Sequence, residues 1–433
     1  MPSARQICLN LLVSAEKNSS YSNIALDNAL LKHPELKEID KRFISALFYG
    51  VLERKLTLDE IISSLSSRPL EKLDLTVLQI LRMGIYQLLY LDSVPDSAAV
   101  NESVKLTQQN KLTSAKGFVN AVLRGFIRNN KKLPEYENQV KALSVQYSCP
   151  EWLVSMWISD YCEEVCRNML ETSLGKPPVT IRLNTCKFDK DEILKEFEVS
   201  GVELKSCHIE NAYEVLNIGS VEGLSAYQKG MFHVQDLSCQ ICSSELDAKS
   251  GDTVLDVCSA PGGKAFSIAE IIGDTGRVIA CDLHENRVKL IASGAKRLNL
   301  SCVEAITNNA KIHNPDFPIA DAVLCDVPCS GLGVIRRKPE IKYTKQEAIN
   351  NLPSVQYDIL NTSADYVKKG GILVYSTCTV NKAENEDVVN KFLSEHPDFE
   401  GVKLNNFTEF YVTITPEMYN SDGFFIAKLR RKE

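Results

Sequence analysis

No stretch of this sequence is apolar for long enough to cross a bilayer. Its most apolar later segment, Leu78 to Leu91, is interrupted by Gln79, Arg82 and Gln87, whereas a crossing helix needs roughly 20 apolar residues. Met1-Pro2-Ser3-Ala4-Arg5 and the mixed run Ile7 to Val13 supply neither a signal-peptide core nor a small-residue cleavage site. Internal repeats and low-complexity tracts are also lacking. These absences predict a cytoplasmic protein with no membrane partner. Positive charge is scarce overall, with a net charge of -7, but it is unevenly spread. Residues 1 to 132 hold 18 Lys and Arg against 13 Asp and Glu, a net +5, which leaves 31 against 43, a net -12, for the remainder. A basic front end on an acidic body permits a local phosphate-binding surface.

Cysteine, by contrast, is plentiful. Fourteen cysteines in 433 residues without a secretion signal read as reduced core, metal or catalytic residues, not as a disulfide framework. The length and the 44% hydrophobic content allow two or three cores.

Up to about Arg128 the chain reads as helices. Phe43, Leu47 and Val51, then Leu75, Leu78, Leu81, Ile85 and Leu88, recur at three- and four-residue intervals and line one helical face. Asp92-Ser93-Val94-Pro95-Asp96 breaks the pattern before another helix to Gln109. The last helix carries Lys116, Asn120, Arg124 and Arg128 on one stripe, while Phe118, Val119 and Val122 can pack inward. The spacing predicts a helical domain over 1–132, a polar linker near 129–140 and a small α+β insert over 141–235. The third domain, 236–433, alternates strand-like and helix-like runs. Thr253 to Val257, Arg277 to Asp282, Ala322 to Asp326 and Gly371 to Ser376 are the strands of a buried, mostly parallel sheet, with ligands expected at their carboxyl ends.

The first of these strands runs into Asp256-Val257-Cys258-Ser259-Ala260-Pro261-Gly262-Gly263-Lys264, then a helix. Small residues there let the backbone approach a ligand beside a helix N-terminus, and Asp282 ends the next strand where it can accept bonds from ribose hydroxyls. The spacing matches neither a dinucleotide fingerprint nor a P-loop, so S-adenosylmethionine fits better than NAD or ATP. Two further strand ends carry Asp326-Val327-Pro328-Cys329-Ser330-Gly331 and Ser376-Thr377-Cys378-Thr379. Most free cysteines are small buried hydrophobes, but a pair beside an aspartate suits methylation at carbon 5 of a pyrimidine. A thiolate adding at carbon 6 makes carbon 5 nucleophilic while an acid meets ring N3. One cysteine attacks and the other assists release; the residues alone do not say which. Cys239-x-x-Cys242, Cys325-x-x-x-Cys329 and Cys162-x-x-x-Cys166 resemble metal-ligand pairs but lack a matching His pair, so no metal is expected. Arg336-Arg337-Lys338 is a candidate RNA-phosphate contact, as are Arg124 and Arg128.

Cys258 to Lys264, Asp282 with Arg287, the Asp326 and Ser376 motifs and the closing Asp422-Gly423-Phe424-Phe425-Ile426-Ala427 together resemble the Sun/Nop2 family of RNA 5-methylcytosine methyltransferases. The helical front resembles a NusB-type RNA-binding domain. The resemblance covers nearly the whole chain. It implies a Rossmann-like class I methyltransferase domain preceded by an all-α NusB-like bundle and a small α+β insert. It further implies that Cys258, Ser259, Ala260, Pro261, Gly262, Gly263, Lys264, Asp282, Arg287, Asn309 and Asp326 hold S-adenosylmethionine. Asp326 would lie between cofactor and base, Lys264 would belong with the catalytic groups, Cys378 would be the nucleophile and Cys329 the release cysteine. The family usually has an aspartate near the adenine where this chain has Asn308-Asn309-Ala310. The implied partner is small-subunit ribosomal RNA, met by a monomer before assembly is complete. A transfer-RNA cytosine methyltransferase and an inactive RNA-binding assembly or antitermination factor are the competing readings.

Overall fold

The computed structural model describes residues 2–18, 22–216 and 220–433, and the chain divides into two units. The first comprises Met1–Gly175 together with Ile335–Thr344, and the second Lys176–Val334 with Lys345–Glu433.

Apolar periodicity in the first third matures into helices that include Ala4–Asn18, Glu38–Glu53, Lys55–Leu65, Leu75–Tyr90, Asp96–Gln109 and Lys116–Arg128. They close on a core of Phe48, Ile62, Ile80, Leu81, Leu123 and Phe126. Asp74 caps the central helix by accepting from the Thr76 and Val77 amides. The polar residues that interrupt its apolar run are buried with partners, as burial requires. The Arg82 guanidinium donates to both carboxylate oxygens of Asp59 at 2.7 and 2.8 Å, and Gln87 accepts from Arg5 at 2.7 Å.

Three further helices, Gln139–Tyr147, Glu151–Tyr161 and Glu163–Thr172, belong to this unit, although the sequence suggests an α+β insert from residue 141. Their anchors are side-chain bonds that no local pattern announces. Thr57 donates to the Val145 carbonyl at 2.6 Å, and Ser148 accepts from the Leu56 amide at 3.0 Å. The expected linker is likewise pinned, through Lys131 to Asp96 and Tyr136 to Glu60, each at 2.7 Å. Ile335–Thr344 completes the unit. Lys342 is buried and donates to the Glu53 carbonyl at 2.7 Å, and the Tyr343 hydroxyl meets Ser148 at 3.0 Å.

The second unit begins with a four-stranded antiparallel sheet of β1 (Thr180–Leu183), β2 (Glu203–Ser206), β3 (Ala212–Leu216) and β4 (Phe232–Val234), in the order β2-β3-β1-β4. Ile181, Leu183, Phe197 and Phe232 share its core with the helix Lys190–Val199.

The larger sheet contains β5 (Thr253–Asp256), β6 (Arg277–Asp282), β7 (Val303–Thr307), β8 (Ala320–Asp326), β9 (Val367–Thr377), β10 (Phe399–Gly401), β11 (Tyr411–Ile414) and β12 (Phe424–Arg431). Its order is β10-β12-β9-β8-β5-β6-β7, with β11 paired to β12. Strands β5 to β9 run parallel, and β12 lies antiparallel to β9. Successive side chains point to opposite faces, and both are covered. Val254, Val278 and Leu324 pack on the helices Gly263–Ile271 and Glu285–Leu298. Leu255, Ile279 and Val323 pack against Leu352–Ala364 and Glu386–Glu395. Strand β7 escapes the reading of continuous apolar runs because it is an edge strand whose Glu304 and Thr307 face solvent. No helix among the described residues is long and apolar enough to cross a membrane.

Candidate active site

From β5 the chain winds outward through β6 and β7, then returns to build β8 and β9 on the other side. The crevice at the carboxyl ends of β5 and β8 is therefore a topological switch point, where open α/β sheets bind ligands. Asp326, Cys329 and Cys378 lie at or just after strand ends around it, with the glycine-rich turn and Lys264 at the start of the helix Gly263–Ile271.

On the β5 side, the Ser259 amide donates to the Cys281 carbonyl at 2.6 Å, which ties the turn to β6. Gly262 precedes the helix Gly263–Ile271 at φ +111°, and a Cβ there would stand 2.4 Å from the Phe266 ring. Only glycine fits both restrictions. Asp282, at the end of β6, accepts from the His284 amide at 3.0 Å and pairs with Arg287 at 3.1 Å. Arg287 also donates to the Ala260 carbonyl at 2.8 Å, so it braces the turn. Pro261 is exposed at the rim and follows a cis peptide bond. Asn309 follows β7, and its side-chain carbonyl accepts from the Lys311 amide at 3.1 Å.

Asp256 carries no role in the sequence reading, although it immediately precedes the turn. It is fully buried, and although the Ser259 hydroxyl and the Cys258 amide are close enough to favour its charged form, neither carboxylate oxygen is in a well-formed hydrogen bond among the described residues. Burial, reinforced by the charge of Asp326, pushes its carboxyl up to about 7. A buried carboxylate with acceptor capacity to spare beside a glycine cradle, with a ribose-competent carboxylate on the neighbouring strand, fits a ligand that carries both an ammonium group and a nucleoside. These residues therefore suit S-adenosylmethionine.

On the β8 side, Asp326 accepts from Ser376 through Oδ1 and from Lys264 through Oδ2, both at 2.8 Å. Ser376 faces Asp326 because β8 and β9 pair in that register. Burial opposes the Lys264 charge, but the Asp326 carboxylate outweighs it and holds the ammonium well above its ordinary value. The ammonium also lies 4.9 Å from the centre of the Phe424 ring.

Cys329 and Cys378 are both half-buried, and their sulfurs are 3.2 Å apart. Two thiols at that distance titrate as a pair. Either sulfur can donate in this contact; sharing it lowers Cys378 and raises Cys329. At Cys378 burial and the Asp326 charge oppose this lowering and Lys264 favours it, while burial and the charge of Glu384 add to the rise at Cys329. The cysteine loops are stitched to the closing motif. Gly333 donates to the Cys378 carbonyl at 3.0 Å and accepts from the Gly423 amide at 2.8 Å.

Among the described residues no group of three or more His, Cys, Asp or Glu side chains could hold an ion. Burial raises Cys239 and Cys325 to about 12. Arg124 and Arg128 are exposed on the helix Lys116–Arg128, and Arg336, Arg337 and Lys338 belong to the Ile335–Thr344 segment of the helical unit.

Three family models match in chain order: the NusB family over residues 2–128, the RsmF/B-like ferredoxin-like domain over 149–220 and the 16S rRNA methyltransferase RsmB/F model over 243–430. A probable ribosomal RNA small subunit methyltransferase B of Bacillus subtilis is 38% identical, with 99% of each chain covered. The chain belongs to the ribosomal RNA small subunit methyltransferase B family. Another family member, from Photorhabdus laumondii, is 34% identical over 91% of each chain. Solved structures share the fold. PH0851 matches 100% of this chain and 99% of its own at a TM-score of 0.83 and 24% identity. NSun6 from Pyrococcus horikoshii matches 66% of this chain and 98% of its own at 0.60 and 21%. The family fold is thus a NusB-type helical domain followed by a Rossmann-like methyltransferase domain.

Proposed function

We propose that this family member methylates carbon 5 of a cytosine in small-subunit ribosomal RNA through a covalent Cys378 adduct. The observation that carries this reading is the 3.2 Å sulfur pair beside the Lys264–Asp326 ion pair at the switch point. A plain methyl transfer to oxygen or nitrogen needs neither sulfur; a carbon as unreactive as cytosine C5 needs a nucleophile to activate it.

Cys378 attacks as a thiolate at carbon 6, and the ring electrons shift towards carbon 5. Asp326 engages the N3 and N4 edge of the base, and the Lys264 ammonium compensates the negative charge that develops there. S-adenosylmethionine, held by residues 258–264, Asp256, Asp282, Arg287 and Asn309, supplies the electrophilic methyl group. The carbon 5 proton is then lost to a solvent base, the C5–C6 double bond re-forms, and the C6–S bond breaks with its electrons returning to Cys378. Cys329 assists this release by donating to the departing sulfur. The base must be unstacked, because carbon 6 is attacked from the ring face. Arg124, Arg128, Arg336, Arg337 and Lys338 hold RNA phosphates, and the protein acts as a cytoplasmic monomer.

The test compares wild type, Cys378→Ala and Cys329→Ala on unmodified small-subunit RNA. Wild type should make 5-methylcytosine, Cys378→Ala none, and Cys329→Ala should trap a protein–RNA complex that survives a denaturing gel. An adduct with Cys378→Ala would reverse the two cysteine roles. Product in transfer RNA alone would move the substrate, and no 5-methylcytosine in either RNA would leave an RNA-binding factor.

A further inference from the structure

Between the two cysteine loops lies a carboxylate that the reaction above does not use. Glu384 closes the short turn Lys382–Glu384, ahead of the helix Glu386–Glu395, and is 0% exposed. Its Oε1 accepts from the Ser330 hydroxyl at 2.5 Å and from the Asn381 amide group at 2.9 Å. Its Oε2 accepts from the Ser330 backbone amide and the Gln356 side chain, both at 2.8 Å. Gln356 also donates to the Pro328 carbonyl at 3.0 Å, and the Ser330 hydroxyl meets that of Thr379 at 2.8 Å. Both neighbours of Cys329, Pro328 and Ser330, are thereby tied to Thr379 and Asn381 beside Cys378. Buried carboxylates are costly unless fully hydrogen-bonded, and here four donors reach two oxygens, two of them from the Cys329 loop itself.

We propose that Glu384 is a positioning residue for the release step, registering the Cys329 loop so that its thiol donates to the Cys378 sulfur as that sulfur leaves carbon 6. This rests on the covalent mechanism proposed above. In release, the C5–H electrons form the C5–C6 double bond, the proton goes to solvent base, and the C6–S pair returns to Cys378. The Cys329 S–H bond stays intact and stabilises the returning thiolate. Two features of Glu384 serve this. Its hydrogen bonds hold the Cys329 loop with the two sulfurs 3.2 Å apart, and its negative charge disfavours ionisation of Cys329, which keeps a proton on Cys329 for release.

Glu384→Gln has nearly the same shape, but it replaces one acceptor oxygen with an NH2 group that faces the Ser330 and Gln356 donors. The expected result is turnover lowered about tenfold or more, on the order of one charge-assisted hydrogen bond, with covalent protein–RNA complex accumulating. Affinity for S-adenosylmethionine should stay near wild type, while the melting temperature falls modestly, because the Ser330 and Gln356 donors lose their acceptor in a buried site. Ser330→Ala, which removes one donor without disturbing the carboxylate's burial, should accumulate less adduct, and Glu384→Asp should recover part of the turnover. A purely structural role predicts turnover lost without any adduct accumulating. The inference is overturned if Ser330→Ala and a folded Glu384→Gln both lose activity without adduct, or if both turn over as wild type does. Cys329→Ala separates the two levels. If it traps no adduct, the covalent mechanism itself fails; if it traps adduct and the Glu384 and Ser330 variants do not, only the role of Glu384 fails.

Discussion

Lys264 balances the Asp326 carboxylate, with which it pairs at 2.8 Å, and its charge favours ionisation of the Cys378 sulfur. Lys264→Met would leave the Asp326 charge facing only Ser376, which is far worse than losing both charges together. Because Asp326 is about a quarter exposed, solvent softens the penalty to about 1–3 kcal/mol. We expect Lys264→Met to lower the urea midpoint accordingly and to abolish methyl transfer, and the double variant Lys264→Met/Asp326→Leu to recover stability but no activity. Asn309 offers a gain instead. Its side-chain oxygen already accepts from Lys311, so an added carboxylate oxygen could keep that bond and still accept from an adenine amino group. Asn309→Asp should tighten S-adenosylmethionine binding by about 1 kcal/mol, roughly fivefold. Titration calorimetry checks it, and unchanged affinity would place the adenine elsewhere.

At the scale of elements, the loop after β8 is positioned by backbone. A Cβ on Gly333 would lie 1.9 Å from the Gly423 carbonyl oxygen and 2.9 Å from that of Cys378. Neither neighbour is a flexible side chain. Gly333→Ala should therefore displace the Cys329 loop, with activity falling more than tenfold while cofactor binding, built on β5 and β6, persists. Loss of both together would mean that the loop and the cradle are one unit. The same contrast explains what was legible in the sequence. Strands β5, β6, β8 and β9 announce themselves because burial on both faces demands continuous apolar runs, and the glycine turn because backbone sterics leave few alternatives. Edge strand β7, the helices between residues 139 and 172 and the roles of Asp256 and Glu384 stay hidden, because partners distant in the chain decide them. Ser330 lies 54 residues before Glu384, and nothing within the Lys382–Glu384 turn signals a buried carboxylate. The order of the cysteines is hidden too, since both follow strand ends and neither local sequence marks one as the attacking sulfur.

For the whole molecule, cysteine burial governs behaviour in alkali. Burial raises Cys149, Cys239, Cys281, Cys302 and Cys325 to about 12 and Cys166 to about 11, from an ordinary 9.0. A group raised by folding contributes stability that is fully present below its unfolded value and lost as pH climbs through the folded one. Each such thiol costs about 1.4 kcal/mol per pH unit above 9. Lys342, lowered by burial to about 8 from 10.5, works in the opposite sense between those values, but it is one group against several. The urea midpoint should therefore fall steeply between pH 9 and 10.5 and change little between 7 and 8.5. A midpoint flat to pH 10.5 would mean the thiols are solvated. Lys342 carries a second consequence, through the segment in which it sits. The chain leaves the helical unit after Gly175 and returns for Ile335–Thr344. A ribosome making this protein releases the bundle long before the residues that finish it. Until then the Glu53 carbonyl and the Ser148 hydroxyl wait without Lys342 and Tyr343, so in biogenesis the first unit to emerge cannot be the first one completed.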